Sequence, residues 1–152
     1  MEDKYLFSYP AFERYLILGT NNTIKLGSID MITLLYLGSG LTILWGISHL
    51  IPTKNVVNDF GDISKDNRHI ITMEWIVEGI SLIFIGVLVT VVTVINPNTL
   101  VSNAVYIVSG IGLLGLAIVA LFTGFKVNFF PFKLCPFILT ISAVLILLGA
   151  LV

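Results

Sequence analysis

The stretch Trp45 to Gly79, WGISHLIPTKNVVNDFGDISKDNRHIITMEWIVEG, joins the end of one apolar run to the start of another through a polar connection. It holds both tryptophans, both histidines, five of the nine acids (Asp59, Asp62, Asp66, Glu74 and Glu78) and three of the eight Lys and Arg. Nearly everything after it is apolar. A polar insert between two such runs reads as a loop joining two membrane helices, and any polar chemistry of the chain is concentrated at its edges.

Outward from this stretch, the composition makes the same point. Of 152 residues, 57% are apolar and 11% charged, and the mean hydropathy is +1.01. A water-soluble domain of this size has too little interior to hide that much apolar surface. Runs near 20 residues match a hydrocarbon core of roughly 30 Å at ~1.5 Å rise per residue. The expected fold class is therefore all-α: an integral membrane four-helix bundle, residues 30–152, with helices at about 31–51, 69–95, 99–125 and 134–152.

The net charge of -1 offers no basic surface for nucleic acid and no polybasic cluster for anionic lipid headgroups. The single cysteine, Cys135, excludes an intramolecular disulfide and a Cys-x-x-Cys redox centre, and its plain reading is a small buried hydrophobe at a helix start. Nothing in the pattern requires a cofactor.

Residues 1–29 lack the long apolar segment and small-residue cleavage site of a secretory signal. Ser8-Tyr9-Pro10 followed by AFERYLIL reads as a short interfacial helix lying against the bilayer, with a docked flap as the alternative. Asn21-Asn22-Thr23 fits a glycosylation sequon, but so short a pattern arises often by chance and reads better as a turn. Asp30 is placed to cap the first membrane helix, and Pro52 to stop it. On that helix Gly38, Thr42 and Gly46 recur every four residues, and Ser39, Thr42, Trp45 and His49 share the same side, so its packed face is also its polar one.

Residues 53–69 mix charges of both signs and read as a solvated connection, with a turn at Phe60-Gly61-Asp62 and a cap from Ser64, Asp66 or Asn67. The acids do not alternate as a calcium loop requires. The second helix ends at Asn96-Pro97-Asn98. The third carries Gly110, Gly112, Gly115, Ala120 and Gly124, which places it centrally in the bundle. Phe129, Phe130 and Phe132 around Pro131 form an interfacial anchor, and Pro136 falls in the first turn of the last helix. Loops 53–69 and 126–133 hold five Lys and Arg, against three in the N-terminal tail, so the positive-inside rule puts both loops in the cytoplasm of a cell-membrane protein.

Antiparallel order brings the end of helix one and the start of helix two to one membrane face. His49 precedes Pro52 by three residues and Glu74 follows His69 by five, so their depths match, and Trp45 and Glu78 lie one turn deeper. Each pair is spaced i,i+4 and shares a face. Nine residues past His69, Glu78 lies ~13 Å along the axis, too deep for so short a side chain to reach the headgroups. A carboxylate there costs a few kcal/mol unless protonated, paired or hydrated. The groups available to meet it are His49, Trp45, Ser81, and Thr140 or Ser142 from the last helix.

The expected ligand-binding set is Trp45, His49, Glu74, Glu78, Ser81 and Thr140, forming a pocket for a proton, a cation or a small polar molecule. The structural alternative leaves Glu74 at the interface and pairs Glu78 with His49 or Arg68 to fix packing, with the tryptophans as membrane-belt residues. A metal site from His49, Glu74 and Glu78 is a further alternative, lacking the Glu-x-x-His pairs of four-helix di-iron proteins.

Four helices in about 150 residues, with the polar segment GISHLIP closing the first, resembles the architecture of DoxX-like small membrane proteins. The resemblance implies the four-helix membrane fold and carries no site residue. Three functions remain open on the sequence: binding or transport, for which a homodimer is expected; a membrane enzyme using His49 with Glu74 or Glu78 as acid and base or as metal ligands; and a structural or accessory subunit.

Overall fold

The computed structural model describes residues 30–128 and 130–151, so the interfacial helix expected at 8–18, the sequon and Phe129 lie outside the described residues. Five helices follow one another: α1 (Met31–Leu50), α2 (Thr53–Asp59), α3 (Lys65–Ile95), α4 (Leu100–Gly124) and α5 (Phe130–Leu151), with no strand among the described residues. All except α2 are long and apolar enough to cross a membrane, and the chain is an all-α, multi-pass membrane protein.

Its burial pattern is that of a protein solvated by lipid. Leu44 (63% exposed), Phe84 (65%), Val108 (70%) and Phe122 (68%) turn outward, whereas Ser39, Thr42, Thr93, Ser109 and Ser142 are buried beside Leu35, Leu82, Leu113 and Leu139. In lipid, apolar burial between helices gives little driving force, so close packing and hydrogen bonds between helices take over that role.

Three boundaries differ from the sequence reading. The connection contains α2, whose Val56 and Val57 are buried against α3 while its charged residues face out. Pro52 does end α1, but it also starts this new helix, where its missing N–H costs nothing. The Thr53 hydroxyl donates to the His49 and Leu50 carbonyls at the end of α1, at 3.1 and 2.9 Å. Next, α3 begins at Lys65 because the Ser64 side chain accepts from the Asn67 amide at 3.2 Å, the N-cap arrangement. At 31 residues, or ~46 Å, α3 exceeds the hydrocarbon thickness, so its charged first turns project beyond it. Finally, α5 begins at Phe130, which places Pro136 inside the helix and not in its first turn. Gly61, at φ 71° in the turn before α3, adopts the left-handed backbone that glycine accommodates without strain.

The helices pack in the order α3, α1, α5, α4, and α3 and α4 touch each other only sparingly. The helix expected at the centre, α4, is thus a flank. The physical reason lies in where the small residues point: Gly112 and Gly115 of α4 face open space, while Gly46 of α1 meets Gly79 of α3 backbone to backbone. A Cβ on Gly46 would stand 2.7 Å from the Gly79 carbonyl oxygen, and one on Gly79 would stand 3.0 Å from that of Gly46. The seam continues where Thr90 of α3 donates to the Ser39 hydroxyl of α1 at 3.1 Å.

Candidate functional site

The Gly46 to Gly79 contact is adjacent in sequence to Trp45 and Glu78, so the closest approach of α1 and α3 brings their polar residues face to face. His49 Nε2 stands 3.6 Å from Glu78 Oε1. The imidazole is buried, with 7% of its side chain exposed, whereas the Glu78 side chain is 41% exposed and borders a cleft. Arg68, the other partner considered for Glu78, donates to the Asn58 side chain at 2.8 Å and the Gly61 carbonyl at 3.3 Å.

The orientation of the imidazole follows from its second nitrogen. Nδ1 lies 3.0 Å from the Trp45 carbonyl oxygen, which can only accept, so Nδ1 carries a proton and donates it there. Nε2 is then the nitrogen turned toward Glu78. The ring is held between two indoles: Trp75 at 4.8 Å between centroids with planes 31° apart, and Trp45 at 5.4 Å, nearly edge-on. The Trp75 indole N–H donates to the His49 carbonyl, and its ring contacts Phe132 of α5 at 5.3 Å. A histidine fixed this way has little rotational freedom left.

The third helix at this point is α5. Its Cys135 is buried, and the Trp45 indole N–H donates to Cys135 Sγ at 3.4 Å. Ligand atoms of His49, Glu78 and Cys135 all lie within 4.8 Å of one another. The space beside them is a cleft of about 730 Å³ between α3 and α4, with Glu74, Glu78 and Ser81 on one wall and Leu116 and Ala120 on the other.

Of the residues expected to meet here, Trp45, His49, Glu74, Glu78 and Ser81 all border the cleft. Glu74 and Ser81 are exposed, and Glu74 is not among the three residues whose ligand atoms converge. Thr140 is not brought to the cleft: it is exposed, and its hydroxyl donates to the Pro136 carbonyl of its own helix at 2.7 Å. Ser142 is fully buried elsewhere, its hydroxyl without a hydrogen-bond partner among the described residues.

Sequence reasoning passed over two participants, Cys135 and Trp75. A signal for Cys135 existed. Antiparallel order puts the start of the last span at the same membrane face as the 53–69 connection, hence level with His49. Trp75 read as a belt residue because its position on α3 is near the interface, but it is buried and directed at α1. No family model, no curated protein and no solved structure matches this chain.

Proposed function

We propose that this protein binds, or moves, a small ligand, proton or cation in the cleft walled by Trp45, His49, Glu74, Glu78 and Ser81. One observation carries the reading. With Nδ1 donating to a backbone carbonyl, a neutral His49 presents the Nε2 lone pair toward a carboxylate 3.6 Å away. Two electron-rich atoms facing each other in a weakly solvated site attract a positive charge between them.

Movement across the membrane, as opposed to binding, asks for a second wall, since α3 and α4 leave one flank of the bundle open. A homodimer supplying that wall belongs to the proposal. So does a cytoplasmic position for the face bearing Lys54, Lys65, Arg68, Lys126 and Lys133, supported by the positive-inside rule. The alternative of a membrane enzyme gains support from Cys135, which adds a thiol ligand or nucleophile beside the histidine and carboxylate.

The test uses the protein's own tryptophans, both of which touch the imidazole. Purified full chain in lipid nanodiscs is titrated with sodium, potassium, tetramethylammonium and zinc ions while indole emission is followed. A saturable change with at least one ion, absent in Glu78→Gln of unchanged helical content, is the expected result. No saturable response to any of the four overturns the cation reading.

A further inference from the structure

We infer that His49 Nε2, the Glu78 carboxylate and Cys135 Sγ form a three-ligand site for a divalent ion of the zinc class, with its fourth position open to the cleft. The inference rests on the cation-pocket reading above and names the chemical class of the cation.

The donor set comes first. One imidazole nitrogen, one carboxylate oxygen and one sulfur, each from a different helix, suit a borderline-soft ion that binds nitrogen and sulfur; calcium and magnesium take oxygen cages. Around a tetrahedral zinc ion, ligand atoms at ~2.0–2.3 Å from the metal stand roughly 3.3–3.8 Å from one another. His49 and Glu78 are already 3.6 Å apart, and the triad spans no more than 4.8 Å, about an ångström beyond the separation of ligands around a bound zinc ion.

The surrounding hydrogen bonds are a second, independent observation. A metal-bound histidine characteristically donates its other ring N–H to a carboxylate or backbone carbonyl, which fixes the tautomer and aims the ligating nitrogen. His49 does this through Nδ1 to Trp45. The same tryptophan's indole N–H donates to Cys135 Sγ, the kind of contact that stabilises a thiolate. One residue, Trp45, therefore orients two of the three ligands. His49 is also more than nine-tenths buried, and Glu78 stands 3.6 Å from its Nε2, beyond ordinary hydrogen-bond length.

Charge gives the third argument. On coordination the Cys135 thiol loses its proton to water, a sulfur–metal bond forms, and nothing is oxidised or reduced. A neutral imidazole, a carboxylate and a thiolate then carry two negative charges against the ion's two positive ones. A neutral cluster is the form least penalised at membrane depth. Three protein ligands with one open position describe the geometry of exchangeable and catalytic zinc sites; closed structural sites have four.

The experiment uses cobalt(II) as the spectroscopic substitute, added to the reduced, tag-free full chain in detergent micelles. One equivalent is expected to bind with a thiolate-to-cobalt charge-transfer band in the near ultraviolet and intense visible bands, both erased by zinc. Cys135→Ser should remove the charge-transfer band, and His49→Ala and Glu78→Gln should each weaken binding at least tenfold, while Tyr106→Phe binds as wild type. In the unaltered protein, zinc should slow alkylation of Cys135 at least tenfold, a readout that does not depend on any variant folding. Cobalt bound without a charge-transfer band, or zinc leaving the alkylation rate unchanged, overturns the inference. If cobalt and zinc fail but tetramethylammonium still saturates the tryptophan response, the metal assignment falls and the cation pocket stands; failure of all of them removes both.

Discussion

The two ends of the α3 and α4 pair handle polarity in opposite ways. At the hairpin end the polar groups are neutral and, although the buried Asn103 Oδ1 has no partner among the described residues, the hydroxyls are satisfied at short range: Thr93 and Tyr106 share a buried hydroxyl contact at 3.0 Å, the Ser102 hydroxyl donates to the Asn96 carbonyl at 2.6 Å, and the Thr99 side chain caps α4 by accepting from the Ser102 amide at 3.0 Å. At the other end the helices part, Trp75 reaches across to Phe132 of α5, and a histidine, a glutamate and a cysteine from three helices converge beside a cleft. Hydroxyls satisfy one another locally and close a helix pair. A carboxylate at depth has no such local partner and draws groups from other helices around itself.

The contrast can be broken most severely at the seam that creates the polar end. Gly46→Val drives a branched side chain into the α3 backbone and is expected to cost about 3 kcal/mol, measured by unfolding in mixed micelles. Cobalt binding should be lost with it, because His49 and Glu78 are brought together by that contact. Retained stability would mean that the two helices do not approach so closely. Next in size, zinc at one hundred times its dissociation constant should stabilise the wild-type chain by about 2.7 kcal/mol in the same assay, and Cys135→Ser by much less.

At the hairpin end, Tyr106→Phe removes one buried hydroxyl contact and should cost about 1 kcal/mol with metal binding untouched. A shift in cobalt affinity in that variant would show the two ends to be coupled. Smallest is Arg68→Ala. Among the described residues this side chain bonds only to exposed groups of the connection, so a stability change within about 0.5 kcal/mol is expected. A larger loss would make the turn between α2 and α3 part of the site's support.

The four spans were legible because charged and proline-rich breaks separate uniformly apolar runs, and only so many residues fit across a bilayer. From distances to Pro52 and His69 the sequence matched His49 in depth to Glu74 and set Glu78 one turn deeper, whereas the structure pairs His49 with Glu78. The start of α3 at Lys65 was not, since Ser64, Asp66 and Asn67 were all chemically able to cap it. Nor was α2, because TKNVVND carries charge on the same scale as a loop and its two valines become informative only once α3 covers them. Thr140 was drawn in as a hydroxyl on the last helix, and residue type says nothing about which side of a helix faces the cleft.

By itself the sequence determined the class of solvent and the number of crossings, since a long apolar run has few stable places other than lipid. It also set which polar residues lie toward the same membrane face. Only the tertiary structure decided which helix lies beside which, and through that the partners of Glu78. Every span carries small residues able to accept a neighbour, and the choice among them depends on backbone contacts such as Gly46 on Gly79. Those contacts form between residues 33 positions apart, a distance over which no local pattern in the chain discriminates one pairing from another.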